Sequence, residues 1–215
     1  MQDILIYGAG GHATVTIDLL EHLHEFHIKG VLDDTKEYWG KECMKYPILG
    51  GFDVLAKPEF KTYMIAIGIA NPQMRETLFK KITAQGFSIP TLIHPTAYIG
   101  NKVIIKEGAM ILPHAVINIG ATIGTGAVVN TAAIVEHECK IGSFVHIAPG
   151  VHLGGKVVVK DGTLVGIGAT ILPYLEVGEH AIVGGGAVVI TNVAPQTTVV
   201  GNPAHILEKN HDSHR

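Results

Sequence analysis

Val135-Glu136-His137-Glu138 sets an imidazole between two carboxylates. A histidine with an ordinary pKa of about 6.5 takes up a proton near neutral pH, and a neighbouring carboxylate fixes its tautomer and steadies its charged form. The chain holds 13 histidines, and one such residue taken alone is more often a solvated corner histidine than a base. The flanking acids set His137 apart and point to proton transfer.

A second group is Gly8-Ala9-Gly10-Gly11-His12-Ala13, between an apolar run (Ile4 to Tyr7) and a helical pattern (His12 to His24). Glycines at a strand-to-helix turn let backbone N–H groups close on a phosphate at the helix N-terminus. Gly8, Gly10 and Ala13 fit a GxGxx(G/A) spacing, and Asp33, roughly 20 to 25 residues further on, stands where a ribose-binding acid belongs. A full dinucleotide site needs two βαβαβ halves, and only about 90 residues are available here. The loop therefore predicts a mononucleotide site in preference to NAD.

The elements that must position these groups fall into two parts. In residues 1–90 a strand (Gly30 to Leu32) ending in Asp33-Asp34 and another (Tyr63 to Gly68) alternate with helices, the second from about Pro72 to Gln85 with proline at its start. This βαβ pattern predicts a small α/β, Rossmann-like nucleotide-binding domain. In residues 91–209 the period changes to six: every sixth residue from Ile99 to Val189 is aliphatic. Positions two before these are small or aliphatic, among them Ala97, Ala115, Ala133 and Cys139. A hexapeptide period is the signature of a parallel β-helix, in which three hexads make one triangular coil, here about five coils in all. These aliphatics explain a core and no chemistry. Gly100, Gly120, Gly124, Gly142, Gly154, Gly166, Gly178 and Gly184 are expected at corners that need positive φ. The polar residues 210–215 lie past the last hexad and are expected to form a frayed, disordered tail.

Composition excludes other classes. A net charge of −3 without a basic run argues against nucleic acid. Although 47% of residues are hydrophobic, no apolar run reaches the roughly 18 residues of a membrane span. The chain opens directly on a strand, without a basic n-region, and cytoplasmic localisation is expected. Cys43 and Cys139 have no CxxC spacing and read as ordinary thiols of a reducing compartment.

GAGGH at 8–12, VLDD at 31–34, AIG at 66–68, NTAAIVEHECKIGSFVHIAPG at 130–150 and GGGAVV at 184–189 together resemble the bacterial sugar O-acyltransferases. That family includes sialic acid O-acetyltransferases and UDP-4-amino-sugar N-acetyltransferases, and the likeness covers essentially the whole chain. It implies a left-handed β-helix, a homotrimer with active sites between neighbouring prisms, acetyl-CoA as donor and a nucleotide sugar as acceptor. By the same resemblance His137 is the general base and Glu138 its acidic partner. Gly10, Gly11 and His12 cradle the nucleotide sugar, Asp33, Asp34 and Gly68 line the nucleoside pocket, and Asn130 lies beside the sugar. His146 meets the acetyl group, hydrogen bonding at the thioester carbonyl, while Gly155, Ile167 and Gly185 line the pantetheine groove. Gly201-Asn202-Pro203-Ala204 resembles the family's G-x-P-A turn near the CoA, but His205 stands where a basic residue usually follows.

The favoured expectation is N-acetylation of a UDP-linked 4-amino-4,6-dideoxy sugar without a metal, and the alternative is O-acetylation of a sialic acid. A more remote alternative is zinc-dependent hydration of carbon dioxide, with His114, His146 and His152 gathered by a trimer. A non-catalytic nucleotide-sugar sensor would keep the glycine loop but have no use for Glu136-His137-Glu138.

Overall fold

The computed structural model describes residues 1–208, so the expected tail at 210–215 lies outside the described residues. In chain order the first unit contains β1 (Gln2–Tyr7), α1 (Gly11–His22), β2 (Phe26–Leu32), β3 (Glu42–Cys43), β4 (Tyr46–Gly50), β5 (Met64–Ile67) and α2 (Pro72–Ala84). Ile4, Leu5 and Ile6 of β1 have no exposed surface. Consecutive buried residues of this kind require a sheet covered on both faces. β1 is accordingly central, paired in parallel with β2 on one side and β5 on the other, in the order β3-β4-β2-β1-β5. The chain leaves β1 first to one side and later returns to the other. A parallel sheet with that reversal leaves a crevice beyond the carboxyl ends of its strands.

The β3–β4 pair is an antiparallel hairpin, too short to register as a pattern in the sequence. α2 starts as its sequence dictates: Pro72 occupies the first turn, and the Asn71 side chain accepts a hydrogen bond from the Met74 N–H at 2.9 Å. Its buried face carries Leu78, Phe79 and Ile82 together with Arg75.

From Leu92–Ile93 onward, two-residue strands recur every six residues and stack on equivalents 18 residues away, as Val116 pairs with Tyr98 and with Ile134. Three faces of six, five and eight strands result, and the whole is a left-handed parallel β-helix behind a Rossmann-like domain. Ile117, Val135, Val165 and Val183 point inward with no exposed surface, alternating with Ala115, Ala133 and Cys139. Each such Val or Ile contributes about 1.5 to 3 kcal/mol by leaving water. The last face closes with Thr198–Val200 and an antiparallel strand at His205–Ile206.

The corner glycines differ from expectation. Of the eight, only Gly120 has a positive φ. The left-handed positions are instead a separate every-sixth series that accepts Lys102, His114, Glu138 and Lys156 as well as glycine. A Cβ on Gly124 would sit 2.4 Å from the Gly142 carbonyl carbon, one coil on, and one on Gly166 would sit 2.6 Å from the Gly185 nitrogen. Glycine occurs there because stacked corners approach too closely for a side chain, not because of φ.

The two domains share their packing. Leu92, Met110, Leu112 and Val128 of the β-helix join the cluster formed by Ala13, Ile17 and Leu20 of α1. Phe144 meets Phe79 of α2 edge-on, with centroids 5.4 Å apart.

Candidate active site

The crevice at the strand ends is a cleft of about 430 Å³ lined by Gly8 to His12, Asp33, Asp34, Thr35, Gly68, Ile69 and Ala70. α1 enters it at Gly11 with no side-chain cap and no acid in its first turn. Its first N–H groups therefore face the cleft as an anion site. The glycines divide by task. A Cβ on Gly10 or Gly11 would meet nothing within 4 Å, whereas one on Gly68 would lie 2.8 Å from the Ala13 Cα. Gly10 and Gly11 keep the cleft open, and Gly68 lets β5 pack against α1. Asp33 accepts hydrogen bonds from the N–H groups of Ala9 and Thr35, both at 2.8 Å. Asp34 Oδ1 accepts from the Tyr7 hydroxyl at 2.7 Å and the Phe52 N–H at 3.0 Å. Both acids thus brace the rim of the cleft as well as lining it. Burial, aided by the bond to Asp34, pushes the Tyr7 hydroxyl well above its ordinary pKa and keeps it a donor.

A second cleft of about 620 Å³ opens between the domains, lined by Gly11, His12, Ala70, Asn130, His146, Ile167 and Gly185 among others. His146 Nδ1 lies 2.8 Å from the Ala70 carbonyl oxygen, which can only accept. Nδ1 therefore carries the proton, and Nε2, 3.1 Å from Asn130 Nδ2, accepts from that amide. Asn130 is held in this orientation because its Oδ1 accepts the Thr131 N–H at 2.8 Å. Burial lowers the His146 pKa and keeps the ring neutral. The resemblance gives His146 a donor's part at a thioester carbonyl. In this network its Nε2 is an acceptor, and the N–H left over in the cleft is the second hydrogen of Asn130 Nδ2. His12 lies beside it, with ring centroids 5.8 Å apart. Its Nε2 is buried and has no hydrogen-bond partner. Burial first, then electrostatic coupling to the titrating His146 ring and the Arg75 cation, pulls its pKa down to about 4. Ile167 leaves 67% of its surface exposed at the cleft mouth.

His137 stands at another edge of the prism. It follows Ile134–Val135 on the six-stranded face, whereas His146 belongs to the eight-stranded face. Its Nδ1 lies 3.2 Å from Glu138 Oε2, and Lys156 Nζ approaches the same oxygen at 3.5 Å. The bond to His137, with Lys156 second, holds the Glu138 carboxyl below its ordinary pKa. Glu136 Oε2 accepts from the His137 N–H at 3.2 Å and from Asn118 Nδ2 at 3.0 Å, bracing the corner. Gly155 lies one coil on, and a Cβ there would fall 2.3 Å from His137 Nε2. Within one chain, then, His137, Glu138 and Gly155 form one group and His12, Asn130, His146, Ile167 and Gly185 another.

Over 95% of its length the chain is 32% identical to GDP-perosamine N-acetyltransferase from Escherichia coli O157:H7, of which it covers 96%. The chain belongs to the hexapeptide-repeat sugar acyltransferase family. Residues 3–82 match the PglD N-terminal domain, and residues 87–188 match the GMPPB C-terminal domain. The acetyltransferase domain of PglB from Neisseria gonorrhoeae, solved with acetyl coenzyme A, superposes with a TM-score of 0.89 at 31% identity, covering 96% of this chain and 99% of that one. The Caulobacter crescentus enzyme PerB, solved with CoA and GDP-perosamine, gives a TM-score of 0.90 at 29% identity, covering 97% and 98%. Family membership makes the protein an acetyltransferase. No helix among the described residues is long and apolar enough to cross a membrane.

Sequence reasoning missed several parts of this candidate site. Ala70 contributes a backbone carbonyl, which no side-chain pattern marks. Asn118 lies one coil before Glu136, a relation visible only once the 18-residue stacking is applied. Arg75 did leave a signal, a cation on the apolar face of α2.

Proposed function

We propose that the protein transfers acetyl from acetyl-CoA to the amino group at C4 of a nucleotide-linked 4-amino-4,6-dideoxy sugar. It acts as a homotrimer in the cytoplasm, where acetyl-CoA is made. The observation that carries this reading is the continuity of the two clefts, which share Gly11, His12 and Ala70. A nucleotide diphosphate anchored at the α1 N-terminus directs its sugar past His12 toward Asn130 and His146. Acetyl-CoA enters along Ile167 and Gly185.

The separation of His137 from this cleft within one chain supports a trimer in which a neighbouring subunit brings its His137 to the acceptor amine. The amine nitrogen attacks the thioester carbonyl and gives its proton to His137 Nε2, with Glu138 stabilising the imidazolium through Nδ1. Negative charge growing on the carbonyl oxygen meets the free N–H of Asn130. Collapse of the tetrahedral intermediate breaks the C–S bond, and the CoA thiolate takes the proton back from His137. The resemblance favours UDP, while a relative matched over 96% of its length is named for a GDP sugar. The nucleotide is thus the variable to test.

The experiment is release of free thiol from acetyl-CoA with UDP-, GDP- and dTDP-linked 4-amino sugars, with sialic acid alongside. Release with one amino sugar is expected, and His137→Ala should lower kcat on the order of 10² to 10⁴-fold in an intact trimer. Release with sialic acid alone would move the reading to O-acetylation, and an unchanged His137→Ala would remove the base.

A further inference from the structure

Arg75 is a buried guanidinium, 2% exposed, with no carboxylate partner among the described residues. All five of its N–H groups donate to backbone carbonyls. Nε reaches the Gly126 oxygen at 2.7 Å, and Nη2 reaches those of Phe144 and Val145 at 2.8 and 3.2 Å. Nη1 reaches Ile69 at 3.1 Å and Ala70 at 2.6 Å. The first three carbonyls belong to the β-helix and the last two to the loop after β5. A buried cation without a counter-ion is costly unless every donor is satisfied, and here the planar fork meets that condition. Docking the two domains does not by itself call for a charge, since Phe79, Phe144, Leu92 and Met110 already bury apolar surface between them.

The Ala70 carbonyl shows what the charge does. It accepts from Arg75 Nη1 and from His146 Nδ1–H. Both lone pairs are thereby engaged, and the oxygen is held where it fixes the His146 tautomer. His146 Nε2 in turn holds the Asn130 amide that faces the cleft. We infer that Arg75 is a positioning residue for acetyl transfer, setting the Asn130 amide through the Ala70 carbonyl and the His146 tautomer. This rests on the reading of the Asn130–His146 cleft as the acetyl site.

The effect of removing Arg75 on the His146 pKa would be mixed, because the cation opposes protonation while the carbonyl favours it. The tautomer is the cleaner readout. In the trimeric enzyme labelled with 13C-histidine, the Cδ2 shift distinguishes the two neutral forms, and loss of one signal in His146→Asn assigns it. The wild type is expected to show His146 as the Nδ1–H form, and an Nε2–H or charged ring would overturn the proposal without any variant. Arg75→Lys keeps the charge but not the fork. It should populate the Nε2–H form and lower kcat by roughly 10- to 100-fold with both KM values within about threefold, the scale of a small misplacement of a catalytic group. A folded Arg75→Lys enzyme with an unchanged tautomer would sink the proposal, whatever its rate. A changed tautomer with wild-type kcat would uphold Arg75 as the group that sets His146 and would instead remove the acetyl-site reading of the cleft.

Discussion

Replacing Gly155 by alanine tests the placement of His137 with a single methyl group. The φ of Gly155 is not in the left-handed region, so alanine suits the backbone. The new Cβ would lie 2.3 Å from Nε2 and 2.6 Å from Cε1 of His137. Ordinary van der Waals contact begins near 3.4 Å, so the ring must move by roughly 1 Å, a displacement that can cost on the order of 10²-fold in rate. The His137 side chain is 45% exposed and free to swing outward, so the coil should keep its thermal transition within a few degrees. Thiol release at saturating substrates should show kcat falling about 100-fold, with the KM for acetyl-CoA little changed. Wild-type kcat would refute the argument that this corner is kept bare for His137. A raised acetyl-CoA KM at preserved kcat would refute it too, returning Gly155 to the pantetheine groove that the resemblance assigns it.

Gly10→Val puts a branched side chain into open cleft and should raise the nucleotide-sugar KM by tenfold or more. The acetyl-CoA KM and the melting temperature should stay put, and the opposite pattern would mean that the sites of donor and acceptor are exchanged. Stability should fall with acid, because His12 and His146 are buried neutral. An unfolded histidine binds a proton below about pH 6.5, while folded His12 refuses it until about pH 4. Their contribution is therefore complete above about pH 6.5 and is lost with acid; that of His12 is lost as the pH falls toward 4 and amounts to about 3 kcal/mol at the lower end. Thermal unfolding at pH 7.5 and pH 5 should show this drop, and His12→Asn should reduce it. An equal drop in the variant would take His12 out of the account.

The fold was legible because its core repeats. A single phase, read from Ile99 to Val189, fixes which residues point inward, and the glycine loop after Ile4–Tyr7 marks where the parallel sheet hands over to α1. What corner glycines do was not legible, since a positive φ and a close approach both select glycine, and only the stacked coils tell them apart. The site divides in the same way. His137 and Glu138 are neighbours in sequence, so their pairing could be anticipated. The bond from His146 to Ala70 joins residues 76 apart through a backbone oxygen, and neither its existence nor the tautomer it imposes leaves a trace in side-chain spacing.

The stacking interval constrains how such a chain can change length. Residues 18 apart pair on one face, so inserting or deleting a whole coil downstream of Gly185 would preserve every face while altering only height. A change of six keeps the inward phase, and hence a sound core, but rotates everything downstream by one side of the triangle. His146 would then leave the loop that carries Ala70, and the protein would fold well while its cleft came apart. Lineages of this enzyme should therefore tolerate whole-coil length variation downstream of Gly185, and penalise changes of a hexad or a coil between Asn130 and Gly185 through lost activity rather than lost solubility.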